Sequence, residues 1–356
     1  MLCSHFMLSK TRLDTLVVLI VGLVNTRTVN LSHLASQFLG DALQASNYRR
    51  LQRFFQYVRL DGDLLARLMV RMLNLERPKM LALDRTNWKL GNRDINILVL
   101  AIVTRRFRVP LLWTLLNHQG NSDTAQRVAL MRRYLALNDA SSIKLLLADR
   151  EFIGTQRMEF LCKNNIPFAI HLREGLQLRL DDGRLLSFRT LMRRQHSSRT
   201  VSQCSGWLNG MAQAPRNRLS VAMRRIRGGE ALIVVTNTDT PARALNAYPR
   251  RWSIECLFAD AKTREFNIED THIVNTAKIS ALLGIVALAI TWAYRCATNS
   301  LGLKAIRRKA HGRREKSWFR TGLDTLRNWI IHDPGKALKA WAEKCPKRPL
   351  TPIKNS

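Results

Sequence analysis

The sequence predicts an α/β protein, built on one central sheet and bracketed by helical ends. Three observations lead there. Between residues 78 and 172, short apolar runs alternate with amphipathic segments, as in a sheet layered with helices. Between 173 and 236 the runs shorten and are punctuated by glycine turns. Residues 1–75 carry helical spacing.

The elements follow in order. "LSHLASQFLG" has helical apolar spacing and stops at Gly40. "SNYRRLQRFFQYV" comes next, with Ser46 as the expected cap and Arg49, Arg50 and Arg53 along one side. A short helix, a turn and a basic helix can dock on DNA. A plain helical bundle with a solvated basic face fits the same residues equally well.

From residue 78, "KMLALDRTNW" is expected as a short strand after Pro78 that ends in an acid, followed by strands in "INILVLAIVT" and "VPLLWTLLN". "NSDTAQRVALMRRYLAL" is a helix with cap residues at its start, Asp123 among them. "SIKLLLADREF" is another buried strand ending in an acid, "GTQRMEFLCKNN" a helix and "PFAIHLR" a strand.

In the β-rich stretch, "LQLRLDDGRLLSF" reads as a hairpin with Asp-Gly at its turn, where Asp181 and Asp182 are turn formers. "YPRRWSIECLFADAK" (248–262) reads as a helix opened by Pro249. At about 100° per residue, Glu255 lies about 40° from Arg251 and about 20° from Lys262, so the three share a face. Ile254, Leu257, Phe258 and Ala261 form the adjacent apolar stripe, and Asp260 faces away from Glu255. Taken alone, such a face is an ordinary salt-bridged surface.

Composition narrows the partners. Lys and Arg number 58 against 26 Asp and Glu, a net charge of +32 spread along 356 residues. A folded chain this basic is built to meet a polyanion, and nucleic acid fits better than an anionic membrane. The six cysteines (3, 162, 204, 256, 296 and 345) form no C-x-x-C pair, which argues against a structural zinc or a disulfide framework and suits a reducing cytoplasm. The run "TLVVLIVGLV" (15–24) lacks a cleavage site, and "ISALLGIVALAITWAY" (279–294) falls short of the ~20 residues that span a bilayer. The first is therefore not expected to be a signal peptide and the second is expected to be a buried helix, with no membrane partner.

Two apolar runs end in an acid, Asp84 after "LAL" and Asp149 after "LLLA", with similar followers, "DRTNW" and "DREF". Charges at the carboxyl edge of a sheet mark the usual place for a site in open α/β folds. Glu255 supplies a third carboxylate. Three such oxygen donors suit hard divalent cations, and a pair of these ions can serve phosphoryl transfer. His118, His171 and His272 lack metal-ligand spacing and are expected to be structural.

Tyr248, Arg251, Glu255 and Lys262 match the signature Y-x2-R-x3-E-x6-K. With the blocks around Asp84 and Asp149, the chain resembles the DDE transposases of bacterial insertion sequences, in the family numbered four. The resemblance covers residues 78 to 295. It implies a ribonuclease-H-like catalytic core with a β-rich insertion, plus helical N-terminal and C-terminal regions. The expected divisions are a DNA-binding region (1–75), the first part of the core (78–172), the insertion (173–236), the second part carrying the Glu helix (237–295) and a basic C-terminal region (296–356).

The resemblance further implies that Asp84, Asp149 and Glu255 are catalytic and hold two Mg2+ ions, which Mn2+ can replace. Tyr248, Arg251 and Lys262 would contact DNA. Apart from the resemblance, Arg85 and Arg150 each follow an acid, where a phosphate contact and a salt bridge suit them equally well, and Arg49, Arg50 and Arg53 are the candidate DNA contacts of the N-terminal basic helix. The chemistry implied is cut-and-paste transposition: nicking, hairpin formation and opening, then strand transfer. The partners implied are double-stranded DNA, at terminal inverted repeats and target, and a second copy on paired ends, in the bacterial cytoplasm at the nucleoid. Trp88 is expected beneath the site or on DNA, and Trp207 is available to stack on a flipped base, though a core role suits it better. A non-catalytic repressor derived from a transposase and a purely hydrolytic nuclease remain alternatives.

Overall fold

The structure, a computed structural model, describes residues 6–75, 78–90, 93–116, 120–193, 200–209, 217–226, 230–302, 304–310 and 312–342. His118, Cys3 and Cys345 lie outside them. The chain divides into two compact units, one of residues 1–76 with 261–356, the other of residues 77–260.

The first unit is helical. Its N-terminal part holds α1 (Lys10–Thr26), α2 (Leu31–Ala35), α3 (Gln44–Tyr57) and α4 (Gly62–Met72). The apolar run at 15–24 lies within α1, where Leu16, Leu19, Ile20, Leu23 and Val24 are buried. Ser46 does not cap α3: Leu43 holds that position and Ser46 falls in the first turn, its N–H bonded to Leu43 O. α2 ends at Ala35, short of the expected stop at Gly40, which lies in the connection to α3 with φ +100°, a left-handed conformation that glycine adopts without steric cost.

The second unit is the α/β layer. Strands β1 (Lys79–Leu90), β2 (Arg93–Val103) and β3 (Arg108–Leu116) form an antiparallel meander. Then come α5 (Thr124–Leu137), β4 (Ile143–Ala148), α6 (Thr155–Lys163) and β5 (Phe168–His171). This is the expected order of three strands, helix, strand, helix, strand. Asp123 caps α5 in a reciprocal capping box with Gln126. Strands β6 (Gln177–Arg179) and β7 (Leu185–Ser187) form the expected hairpin, with Gly183 at φ +82° in its turn. After them come α7 (Phe188–Arg193), β8 (Ser202–Asn209), β9 (Leu219–Arg225) and β10 (Ala231–Thr236).

All ten strands join one sheet in the order β3-β2-β1-β4-β5-β10-β9-β8-β6-β7. The β1–β4 and β4–β5 pairs are parallel, and every other pair is antiparallel. The β-rich segment therefore extends the sheet through β10 on β5. At the parallel centre, Leu81, Ala82, Leu83, Leu146, Leu147 and Ala148 are all buried, as strands covered on both faces must be.

Asp84 corrects one expectation. β1 does not end there: it runs six residues further, paired with β2 as far as Leu90↔Arg93. What ends is the parallel ladder with β4, whose last pair is Leu83↔Ala148. Asp84 and Asp149 are each the residue after that pair, so the register places them side by side where the parallel ladder ends, Asp84 within β1 and Asp149 just past β4.

The unit closes with α8 (Pro241–Ala247), a 3-10 turn over Tyr248–Arg251 and α9 (Trp252–Ala259). The helix expected over the signature thus has three windings, for a π turn over Asp260–Arg264 follows α9. The first unit resumes within that turn. It contains α10 (Thr276–Leu301), α11 (Trp318–His332) and α12 (Pro334–Ala342). α10 is long and apolar enough to cross a membrane, but 72% of its most apolar window is buried inside the protein, as in a core helix. α11 crosses it closely at Gly322, where a side chain would collide with Ala293 O.

Candidate active site

Each aspartate is oriented first by its own backbone. Arg85 N–H donates to Asp84 Oδ1 and Arg150 N–H to Asp149 Oδ1, both at 2.8 Å. The similar followers seen in sequence thus produce the same local turn of the carboxylate. The other oxygens face a shared cation. Arg251 Nη1 donates to Asp84 Oδ2 at 3.0 Å, and Nη2 donates to Glu255 Oε1 at 2.5 Å and lies 4.0 Å from Asp149 Oδ2. One guanidinium therefore touches all three acids predicted from sequence. Arg251 and Glu255 keep the expected i,i+4 relation across the first turn of α9.

α9 is held by Ile254 and Leu257, which are buried, while Phe258 is half-buried. Asp260 is buried against Arg108 at 2.7 Å and so belongs to the packing. Lys262 departs from the helical projection. The π turn breaks the 3.6-residue phase before Lys262, whose Nζ bonds Glu269 Oε1 at 3.0 Å, and the residue belongs to the helical unit.

Asp149 has partners that the sequence did not reveal. His171 Nδ1 is 3.5 Å from Asp149 Oδ1, and Tyr248 OH donates to the same oxygen at 3.4 Å. The two rings lie 5.8 Å apart. His171, expected to be merely structural, is in the site because the parallel register pairs Ala148 with Ile170 and so brings the next residues level. The available signal was its place as the polar residue closing an apolar strand. His272 is exposed. Glu151 was also missed: its Oε2 is 3.7 Å from Arg85.

The two aspartates differ electrostatically. The hydrogen bond from His171 holds Asp149 well below the usual carboxylate range, against its partial burial, with Arg150 N–H and Arg251 assisting. Burial pushes Asp84 up to about 6, overcoming the Arg85 N–H and Arg251. Burial also raises the Tyr248 phenol. For Arg251, burial acts to lower the pKa, but Tyr248 and the three carboxylates around it raise it overall.

The Asp84 shift has a measurable consequence. A carboxyl whose folded pKa lies above its unfolded value of 3.8 favours folding below 3.8, and that contribution is lost as pH rises through about 6. Asp84→Asn is therefore expected to stabilise the metal-free protein at neutral pH by up to about 3 kcal/mol, with the gain vanishing near pH 4. Urea unfolding at the two pH values checks this; an equal effect at both would refute it.

The remaining arginines divide by environment. Arg85 donates to Asn96 and Asn121 at 3.3 and 3.2 Å, inside the unit, while the Arg150 side chain is exposed. On α3, Arg49 and Arg53 are exposed, but Arg50 bonds Thr15 Oγ1 at 3.0 Å and Thr11 O at 3.2 Å. Trp88 is buried with its indole N–H unpaired, Trp207 is half-buried, and Trp252, directly after Arg251, is 62% exposed.

Among the described residues, no three His, Cys, Asp or Glu side chains form a ready metal cage. The carboxylates converge on Arg251 instead of on one another, with the guanidinium between them. The donor set nevertheless fits a hard divalent cation: three oxygen-bearing groups already surround one positive charge.

The family described as transposase DDE domain matches residues 76–292, more than half the chain and a span that includes Asp84, Asp149 and Glu255. No curated protein matches significantly. Three acids from β1, the end of β4 and α9 meet at one cation within that span, and the chain belongs to the DDE-domain transposases.

Proposed function

We propose that this protein is the transposase of an insertion sequence in the family numbered four, moving its element by cut-and-paste. The observation that carries this is the convergence of Asp84, Asp149 and Glu255 on the Arg251 guanidinium. The spacing of Tyr248, Arg251, Glu255 and Lys262 supports the narrower assignment. The proposed core is ribonuclease-H-like, with 173–236 as its insertion, residues 1–75 as a DNA-binding region and a basic region from 296. The site of action is the cytoplasm, at the nucleoid.

Asp84, Asp149 and Glu255 would hold two Mg2+ ions, with Mn2+ able to substitute. When bound, such ions activate the attacking oxygen and stabilise the leaving one in an in-line displacement. The protein's own groups prepare that arrangement. The backbone N–H groups of Arg85 and Arg150 fix one oxygen of each aspartate and leave the other directed at the shared point. His171 keeps Asp149 ionised, and the Tyr248 hydroxyl helps to orient it. Arg251 balances the acids and offers a fork suited to a DNA phosphate once they are otherwise neutralised. Lys262, Arg150, Arg49 and Arg53 are further phosphate contacts in this reading; Arg85 and Arg50 have internal partners to release first.

The substrates are the element's terminal inverted repeats and target DNA, with two copies of the chain on paired ends. Purified protein incubated with labelled ends and Mg2+ is expected to yield nicked, hairpinned and then strand-transferred products on a denaturing gel. Nicks without hairpins or joined products would instead identify a nuclease.

A further inference from the structure

Between α10 and α11 the helical unit carries a feature remote in sequence from the three acids. Residues 304–315 hold six cations, Lys304, Arg307, Arg308, Lys309, Arg313 and Arg314, against one acid, Glu315. All six are exposed. The backbone closes into a small two-stranded ribbon. Arg308 and Arg314 form an antiparallel bridge, Lys309 N–H donates to Arg313 O at 2.9 Å, and Glu315 N–H to Arg307 O at 2.8 Å. The tip turns at Gly312, which has φ +78° and donates its N–H to Lys309 O at 2.8 Å. Arg308 reaches across the turn to Gly312 O at 2.8 Å and stiffens it.

The ribbon stands on a fixed base. Ser317 caps α11, Lys316 pairs with Asp324 at 2.9 Å, and Trp318 and Phe319 are buried. Like charges packed this densely repel one another, and Glu315 is the one acid in the sequence of residues 304–315. Such a concentration is relieved by a polyanion. A two-stranded ribbon is narrow enough to enter a DNA groove, and arginines carried there meet phosphates on both sides. A membrane surface fits less well, because an interfacial element needs apolar anchors and this one offers only Ala305, Ala310 and the half-buried Ile306.

We propose that the ribbon at Arg307–Glu315 is a separate DNA-backbone clamp, contributing affinity without base specificity and independent of the carboxylate site. The proposal rests on the reading that the chain acts on DNA. Its test uses the full chain with Arg307, Lys309, Arg313 and Arg314 changed to Ala, leaving Arg308 to hold the turn. Binding to labelled duplexes, one carrying the element's end and one unrelated, is followed by fluorescence anisotropy over a range of salt.

The expected result is a log K against log salt slope shallower by about 3 to 4, and affinity at least about tenfold lower near 0.15 M salt, on both duplexes. Wild-type binding with slopes that coincide with the variant's would overturn the clamp alone. Wild-type protein that binds neither duplex would overturn the transposase reading and the clamp together. Loss of binding to phosphatidylserine vesicles with an unchanged DNA slope would overturn the clamp in favour of a membrane surface. If the four-fold variant does not fold by circular dichroism, Arg307→Ala with Arg313→Ala is measured, with an expected slope change of about 1 to 2.

Discussion

Asp149→Ala is expected to reduce strand cleavage by at least about 10³-fold, about 4 kcal/mol of lost barrier reduction, while DNA affinity stays within about threefold of wild type. The asymmetry follows from where Asp149 lies. It is the residue after the last parallel pair of β4 and is held ionised by His171. Its carboxylate repels phosphate, so removing it costs the duplex nothing electrostatically. In the proposed site, however, its oxygens are one of three carboxylate donor sets, and Asp84 and Glu255 are already committed to the same cations. Cleavage and anisotropy on the same preparation check this. Loss of both activities together would mean that Asp149 supports the fold and not the reaction.

Arg251→Ala produces the second large effect, in stability before activity. The Arg251 side chain is 13% exposed and contacts three carboxylates, of which Asp84 is equally enclosed. Removing it leaves partly buried negative charges facing one another, which destabilises the metal-free protein by about 3 kcal/mol. A divalent cation should then stabilise the variant more than the wild type, because the ion no longer displaces a guanidinium. Ligand occupancy at about 100 times Kd contributes about 2.7 kcal/mol, enough to recover most of the loss. Thermal melts with and without Mg2+ measure both halves. Equal Mg2+ stabilisation of variant and wild type would show that the acids do not share a cation site, and an unchanged melting temperature without metal would show that Arg251 is not their counter-ion.

Much of this was legible in the sequence because it is local. Apolar runs at strand length, the Asp123 cap, the Asp-Gly turn and the four-residue step from Arg251 to Glu255 depend on near neighbours alone. They fixed the order of elements and brought the three acids into one expected site. What escaped reading depends on register and on changes in winding. β1 continues past Asp84 because β2 pairs with it there, a partner that its own residues do not announce. His171 joins Asp149 only through the parallel alignment of β4 with β5. Lys262 leaves the projected face because a π turn begins at Asp260, whose buried pairing with Arg108 couples the end of α9 to β3. Ser46 looked like a cap on composition, yet the helix starts two residues earlier, at Gln44.

Anomalous diffraction from crystals grown with Mn2+ and a DNA end reveals whether the three acids share a metal site. Manganese density is expected on oxygens of Asp84, Asp149 and Glu255, with the Arg251 guanidinium withdrawn toward a phosphate. Manganese bound elsewhere, with the three carboxylates still closed on Arg251 beside the bound DNA, would contradict it.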